Sequence, residues 1–252
     1  MVTVKNVSKK YGNKYVLDDV SVTIPQRQVT SLIGPNGAGK STLLAMMSRL
    51  GKKDSGEVFI EDKEVGDWRL DDLAQKMSIL KQANNINLRI TVRELVAFGR
   101  FPYSKGRLKA EDEKLIDEAL MYMDLTHMQH KYLDQLSGGQ KQCAHIAMVI
   151  AQDTDYIFLD EPLNNLDMKH SVQIMKTLRR LVNDLGKTIV IVIHDINFAS
   201  CYSDYIVALR DGRLVHEGKT SDIIAPAVLK DIYDMDMPVQ EISNNKICVY
   251  FS

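Results

Sequence analysis

The residues with the most specific chemistry are Gly34-Pro35-Asn36-Gly37-Ala38-Gly39-Lys40-Ser41-Thr42, which fit the pattern G-x-x-x-x-G-K-[ST]. Glycines at these spacings let backbone N–H groups close around an anion without Cβ clashes, and a helix N-terminus adds the positive end of its dipole. Lys40 then reaches the outer phosphates of a nucleoside triphosphate, and Ser41 holds Mg²⁺. The context agrees: Val29 to Ile33 predicts a strand before the loop and Ser41 to Leu50 a helix after it. A glycine turn with an incidental lysine would require neither. Further on, Leu136-Ser137-Gly138-Gly139-Gln140 is a second glycine-rich helix start, with Ser137 able to cap a helix from Gly138 to Ala151. Alone it reads as an ordinary N-cap. Tyr156-Ile157-Phe158-Leu159-Asp160-Glu161-Pro162 is an apolar strand ending in paired carboxylates. Successive residues at a strand end point in different directions, so Asp160 can orient Mg²⁺ while Glu161 polarises an attacking water. Without the phosphate loop the two acids would simply cap a turn before Pro162. His194 ends the apolar run Thr188 to Ile193, where spacing alone favours a structural histidine.

These groups need a scaffold, and the pattern supplies a β/α alternation. Val2 to Val7 and Val16 to Ile24 read as strands around a turn from Lys9 to Lys14, followed by the phosphate-loop strand and helix, a short strand Glu57 to Ile60, a helix Leu70 to Lys76 and a strand Met77 to Leu80. From Ala83 to Gln135 amphipathic patterns replace β-branched runs, at Thr91 to Phe98 and Glu111 to Met123. The alternation then resumes: helix Gly138 to Ala151, strand Tyr156 to Leu159, helix Lys169 to Asp184, strand Lys187 to Ile193, helix Ile196 to Ser203. Strands joined by helices imply a largely parallel sheet covered on both faces. Two hairpins close the chain, one at Asp211-Gly212 and one at Asn244-Asn245, the latter between Val239 to Ile242 and Ile247 to Tyr250.

The 252 residues allow one large α/β domain with a smaller subdomain, 1–82 and 136–252 forming the core and 83–135 a helical insertion. A net charge of -1 with 26% charged residues gives no electrostatic reason to expect a nucleic acid partner. Cys143, Cys201 and Cys248 are odd in number and widely spaced, which fits a reducing compartment rather than a disulfide framework or zinc site. The longest apolar runs have strand length and Met1 to Lys5 is no signal region, so any membrane role falls to a separate subunit.

The ordered set of motifs resembles the ATP-binding-cassette (ABC) ATPases. By that resemblance, 136–140 is the family's signature, Asp160-Glu161 its Walker B aspartate and catalytic glutamate, Leu166-Asp167 its D-loop, and His194 its switch histidine. Gln82, after Met77 to Leu80, stands where the family has its Q-loop glutamine, counted with Glu161 and His194 in catalysis and with Ser41 and Asp160 at Mg²⁺. Tyr11 stands where an aromatic stacks on adenine. Taken singly, Tyr11 is a turn aromatic and Asp167 an exposed loop acid. The resemblance implies an α/β P-loop NTPase fold with an antiparallel β flank and an inserted helical subdomain, with ATP and Mg²⁺ as cofactors. It also implies a homodimer in which the phosphate loop of one protomer and Ser137, Gly138, Gly139 and Gln140 of the other close on one ATP. One departure stands out: Cys143 and His145 occupy positions where an arginine and an apolar residue are common, and Lys141 cannot replace the bidentate contacts of an arginine. A thiol near a helix start can be reactive, although a quiet structural cysteine is the commoner case.

Within the family, Thr91 to Tyr103 and Glu161 to Asp167 are similar to segments of ATPases from iron(III)-siderophore, haem and cobalamin importers, and across its length the chain looks most like the ferric-siderophore branch, including petrobactin-type ATPases. This implies an ATPase on the cytoplasmic face of the membrane, docked on integral membrane permease subunits that a separate extracellular or periplasmic substrate-binding protein supplies. Gln82 would link the nucleotide site to the permease, and Arg93 and Arg100 are read as charges on the contact surface. The competing reading is a soluble single-cassette ATPase, such as one of iron-sulfur cluster assembly.

Overall fold

Alternating apolar residues make β1 (Val2–Tyr11) and β2 (Lys14–Ile24), an antiparallel pair that buries Val2, Val4, Val7, Leu17, Val20, Val22 and Ile24. The structure is a computed structural model describing residues 1–81 and 89–250. Pairing persists to Tyr11 opposite Lys14, so the predicted Lys9 to Lys14 turn narrows to Gly12 and Asn13. β3 (Val29–Ile33) is buried at all five positions and leads through the glycine loop into α1 (Lys40–Met47). The helix stops short of the predicted Leu50 because Arg49 turns left-handed, φ 58°, while its guanidinium donates to the Trp68 carbonyl at 2.6 Å. β4 (Ser55–Ile60) and β5 (Lys63–Glu64) complete a four-stranded antiparallel sheet in the order β2-β1-β4-β5. These elements belong to one unit, Met1–Trp68 together with the chain from Thr188 onward.

The second unit is Arg69–Lys187. It holds α2 (Leu70–Lys76), β6 (Met77–Leu80), α3 (Val92–Ala97), α4 (Phe101–Ser104), α5 (Ala110–Tyr122), α6 (Gly138–Ala151), β7 (Tyr156–Asp160) and α7 (Met168–Leu185). β6 and β7 pair in parallel from Met77 opposite Tyr156 to Leu80 opposite Leu159. Thr91 opens α3 with a capping box to Glu94, and α3 and α5 pack on α6. Ile174, Leu178, Leu181 and Val182 form the buried stripe of α7, which ends at left-handed Gly186. The two arginines read as contact-surface charges are structural. Arg93 pairs with Glu113 and Asp117 at 2.6 Å each. Arg100 is 5% exposed, pairs with Asp112 at 2.9 Å and donates to the carbonyls of Ala151 and Gln152. A charge reversal at Arg100 would set a buried carboxylate against Asp112, and one at Arg93 would set a carboxylate against Glu113 and Asp117.

The first unit resumes with β8 (Thr188–Val192), α8 (Ile196–Tyr202), β9 (Tyr205–Arg210), β10 (Arg213–Lys219), α9 (Thr220–Ile223), α10 (Pro226–Tyr233), β11 (Val239–Ile242) and β12 (Asn245–Cys248). Four of its strands lie in the order β10-β9-β3-β8, with β3 parallel to both β8 and β9 and β10 antiparallel at the edge. The Asp211-Gly212 hairpin forms as predicted. The last turn is shifted by one residue: Ile242 pairs with Asn245, leaving Ser243 and Asn244 in the turn with φ of 49° and 63°. Left-handed φ at both central residues is what a type I′ two-residue hairpin requires, and it displaces Asn245 into the strand.

Candidate nucleotide site

In the first unit, β3 delivers the chain into the glycine loop and the fold dictates where glycine is needed. A Cβ on Gly34, φ 134°, would lie 2.0 Å from the Leu209 carbonyl oxygen of β9, and one on Gly39, φ 99°, would lie 2.6 Å from the Val16 carbonyl oxygen of β2. The β9–β10 turn braces the loop from outside, since the Gly212 amide donates to the Ala38 carbonyl at 3.2 Å and the Gly212 carbonyl accepts from Asp18 at 2.8 Å. Tyr233, with its hydroxyl pushed up to about 12 by burial, takes the Gly34 amide as a partner. The sequence marked Asp211-Gly212 only as a hairpin and gave no signal for Tyr233, because both reach the loop through tertiary packing. Pro35 is half-buried and Asn36 and Gly37 are exposed. Lys40 is buried, its ammonium donating to the carbonyls of Gly34 at 2.8 Å and Pro35 at 2.9 Å. Ser41 and Thr42 follow in the first turn of α1, both half-buried.

The same unit holds Tyr11 and His194. A register shift at Val16 puts Leu17 opposite Lys9 and Tyr15 opposite Lys10, so Tyr11, two residues beyond Lys9, shares the face of Leu17. Leu17 is the side chain against Gly39, which separates Tyr11 from Tyr15 on the opposite face. Tyr11 is 62% exposed, with the Lys9 ammonium 5.4 Å from its ring centroid. His194 follows β8, parallel to β3, and the preceding Ile193 amide bonds the Leu32 carbonyl. It therefore stands at the same carboxyl edge as Gly34, where open α/β sheets bind ligands.

In the second unit, Asp160 ends β7, and Glu161 turns left-handed with φ 50°. The next residue, Pro162, is buried, and its carbonyl accepts from Gln142 of α6 at 3.0 Å. Ser137 caps α6 through a reciprocal box with Gln140, at 3.3 and 3.0 Å. Asp167 caps α7: its carboxylate accepts the His170 amide at 2.9 Å and meets the imidazole Nδ1 at 2.8 Å. The His170 amide first, and its ring second, hold the Asp167 carboxyl below the usual range. His170 also lies 3.0 Å from where a Cβ on Gly139 would be, so one histidine joins the glycine-rich helix start to Asp167. Nothing in the sequence singled out His170. Gln82 lies outside the described residues.

Cys143 is buried on α6 and its thiol is pushed up to about 11, by burial first and the charge of Asp167 second. It is a quiet structural cysteine. His145 is buried too, and burial holds its pKa down. A cavity of about 190 Å³ borders Cys143, lined also by Asp124, His127, Gln140 and His170, and it offers room for a longer side chain. Cys143→Arg is therefore expected to raise the ATPase rate or sharpen ATP-dependent dimerisation while leaving the monomer's ATP affinity unchanged. Steady-state rates and gel filtration test this, and unchanged values on a folded variant would show that the cavity's polar lining already compensates.

With this geometry in place, comparison with known proteins is decisive: residues 17–164 match the ABC transporter family. The chain belongs to that family. It is an ATP-binding, ATP-hydrolysing cassette. Among curated relatives, a petrobactin import ATP-binding protein of Bacillus subtilis (strain 168) is 68% identical over all 252 residues, covering the whole of both chains. A petrobactin import ATP-binding protein of Bacillus anthracis is 46% identical over 99% of this chain and 100% of its own. The ABC fold is borne out in solved structures. An ATP-binding cassette in a dimeric post-hydrolysis state bound to ADP and Pi matches with TM-score 0.77 and 35% identity over 87% of this chain and 99% of that one. A metal-chelate type ABC transporter in an inward-facing conformation matches with TM-score 0.85 at 22% identity over 100% and 97%, a likeness of fold alone.

Proposed function

We propose that this chain energises import of a ferric siderophore, petrobactin or a close relative, as the ATPase subunit on the cytoplasmic face of a membrane permease. The full-length 68% identity to a petrobactin import subunit carries this reading. Two copies close on ATP, with Lys40 and the Gly34 to Thr42 loop on the phosphates, Tyr11 on the adenine, and Ser137 to Gln140 with Asp167 completing the site from the other protomer. The donors suit Mg²⁺. The Ser41 hydroxyl and the Asp160 carboxylate are hard oxygen ligands, joined in this reading by Gln82, and Mg²⁺ prefers a few protein oxygens beside phosphates and waters. The ion would offset phosphate charge, while Glu161 polarises the attacking water and His194 and Gln82 sense the γ-phosphate.

No helix among the described residues is long and apolar enough to cross a membrane. In this reading force passes to the permease through a docking surface. Within 83–135 an apolar groove of about 390 Å³ is lined by Ala97, Phe98, Phe101, Gly106 and Leu108, with Phe98 and Phe101 half exposed. Its shape suits a cytoplasmic helix of the permease laying its apolar face into the groove. A substrate-binding protein outside the membrane supplies the ligand. Phe101→Glu is expected to cut ferric-siderophore uptake by about tenfold or more, as loss of an aromatic anchor does, with the purified subunit's ATPase rate within about twofold of wild type. The parent test is deletion of the gene followed by ferric petrobactin uptake under iron limitation. Normal uptake in that strain, with no second ATPase able to substitute, would overturn the importer reading.

A further inference from the structure

Glu161 does not leave β7 as extended chain. Its φ of 50° is a conformation that non-glycine residues keep only where the surroundings enforce it. Two contacts from one residue meet it there: the Asn164 amide N–H donates to the Glu161 carbonyl at 3.3 Å, and the Asn164 side-chain Nδ2 donates to Glu161 Oε2. The buried ring of Pro162, with its carbonyl held by Gln142 at 3.0 Å, fixes the turn between them. Asn164 itself is exposed and fills no core position.

We propose that Asn164 is a positioning residue for hydrolysis, its side-chain amide setting the orientation of the Glu161 carboxylate that activates water. The proposal rests on the assignment of Glu161 as that base. A glutamate reaches its carboxylate through three rotatable bonds, and proton transfer from a bound water demands heavy atoms within about 3 Å in the right direction. One donor bond to a carboxylate oxygen removes most of that freedom. The alternative role, a residue that merely favours a turn, is shared by asparagine, aspartate and serine. The donor role is not. Aspartate has the same shape but sets a second carboxylate against Glu161, whereas serine keeps a short O–H donor.

The test is steady-state kinetics of the full chain with Mg-ATP, with melting curves to establish folding. Asn164→Asp is expected to lower kcat about tenfold or more at pH 8 with KM for ATP within about twofold, because phosphate contacts lie elsewhere and only the chemical step is touched. Asn164→Ser should stay within about threefold of wild type. Asn164→Ala, which removes the donor without adding charge, should lose kcat in the same sense and serves if the aspartate variant fails to fold. Wild-type kcat in Asn164→Asp or Asn164→Ala, equal losses in the serine and aspartate variants, or a change confined to KM would each overturn the proposal. Glu161→Gln is assayed alongside. If it hydrolyses ATP near the wild-type rate, the base assignment fails; if it is inactive while Asn164→Asp is not, only the positioning role fails.

Discussion

Lys40→Ala is expected to abolish measurable ATP binding, raising the dissociation constant at least about a hundredfold, since charge-assisted bonds to phosphate are individually worth about 1.5–3 kcal/mol. Lys40 is 5% exposed and its ammonium donates to the carbonyls of Gly34 and Pro35, so the cation is built into the loop. Phosphate oxygens replace those carbonyls as acceptors, and the long-range charge makes the exchange favourable. Alanine removes the cation and also leaves two loop carbonyls short of a donor, a cost of about 1–3 kcal/mol that argues for a melting curve beside the titration. Fluorescent-nucleotide binding at fixed Mg²⁺ measures the effect. Tight binding by a folded Lys40→Ala protein would remove the phosphate loop from the site.

What the sequence carried well were features whose physics is local. β3, α2, β6 and α6 have the bounds predicted for them, because strand runs, capping residues and helical periodicity are written in neighbouring residues. Boundaries moved where backbone torsion decided: α1 ended early at left-handed Arg49, and the final turn shifted to Ser243 and Asn244. Chemistry carried by spacing was also legible. Gly34 and Gly39 leave no room for a Cβ, Asp160 ends its strand with Glu161 next, and Ser137 caps its helix, each as the spacing indicated.

Contacts made at a distance along the chain were not legible. Arg100 reads as one more surface cation until Asp112 and the two carbonyls at the C-terminal end of α6 are seen around it. Gly212 braces the loop at Ala38 across more than half of the sequence. His170 gives no hint of lying against Gly139. Asn164 is a different case, for it is only three residues from Glu161 and a turn-forming residue after Glu-Pro is a visible signal. Which of Asn164 and Asn165 would donate depended on Asn165, not Asn164, taking the left-handed φ of 59°.

Glu161→Gln is expected to bind ATP as wild type does, to lose hydrolysis by about a hundredfold or more, and to accumulate as an ATP-bound dimer. The change is isosteric, so the turn through Pro162 and the partner atom for Asn164 Nδ2 both survive, the amide oxygen accepting in place of the carboxylate. What disappears is a group able to take a proton from water, and general-base catalysis alone is worth about 10²–10⁴-fold. Binding is untouched because phosphate contacts reside in the Gly34 to Thr42 loop, and interactions equal in ground and transition states do not alter the chemical step. The γ-phosphate then stays in place between the two protomers, and the closed state that hydrolysis would open persists. Gel filtration with Mg-ATP should move the 28.5 kDa chain to about twice that mass, and the wild type should return to monomer as ATP is consumed. A Glu161→Gln protein that turns over near the wild-type rate would move the base elsewhere in the site. A variant inactive in hydrolysis yet monomeric in ATP would leave Glu161 its chemistry and show instead that contacts beyond the γ-phosphate, those of the permease among them, are needed to hold two copies together.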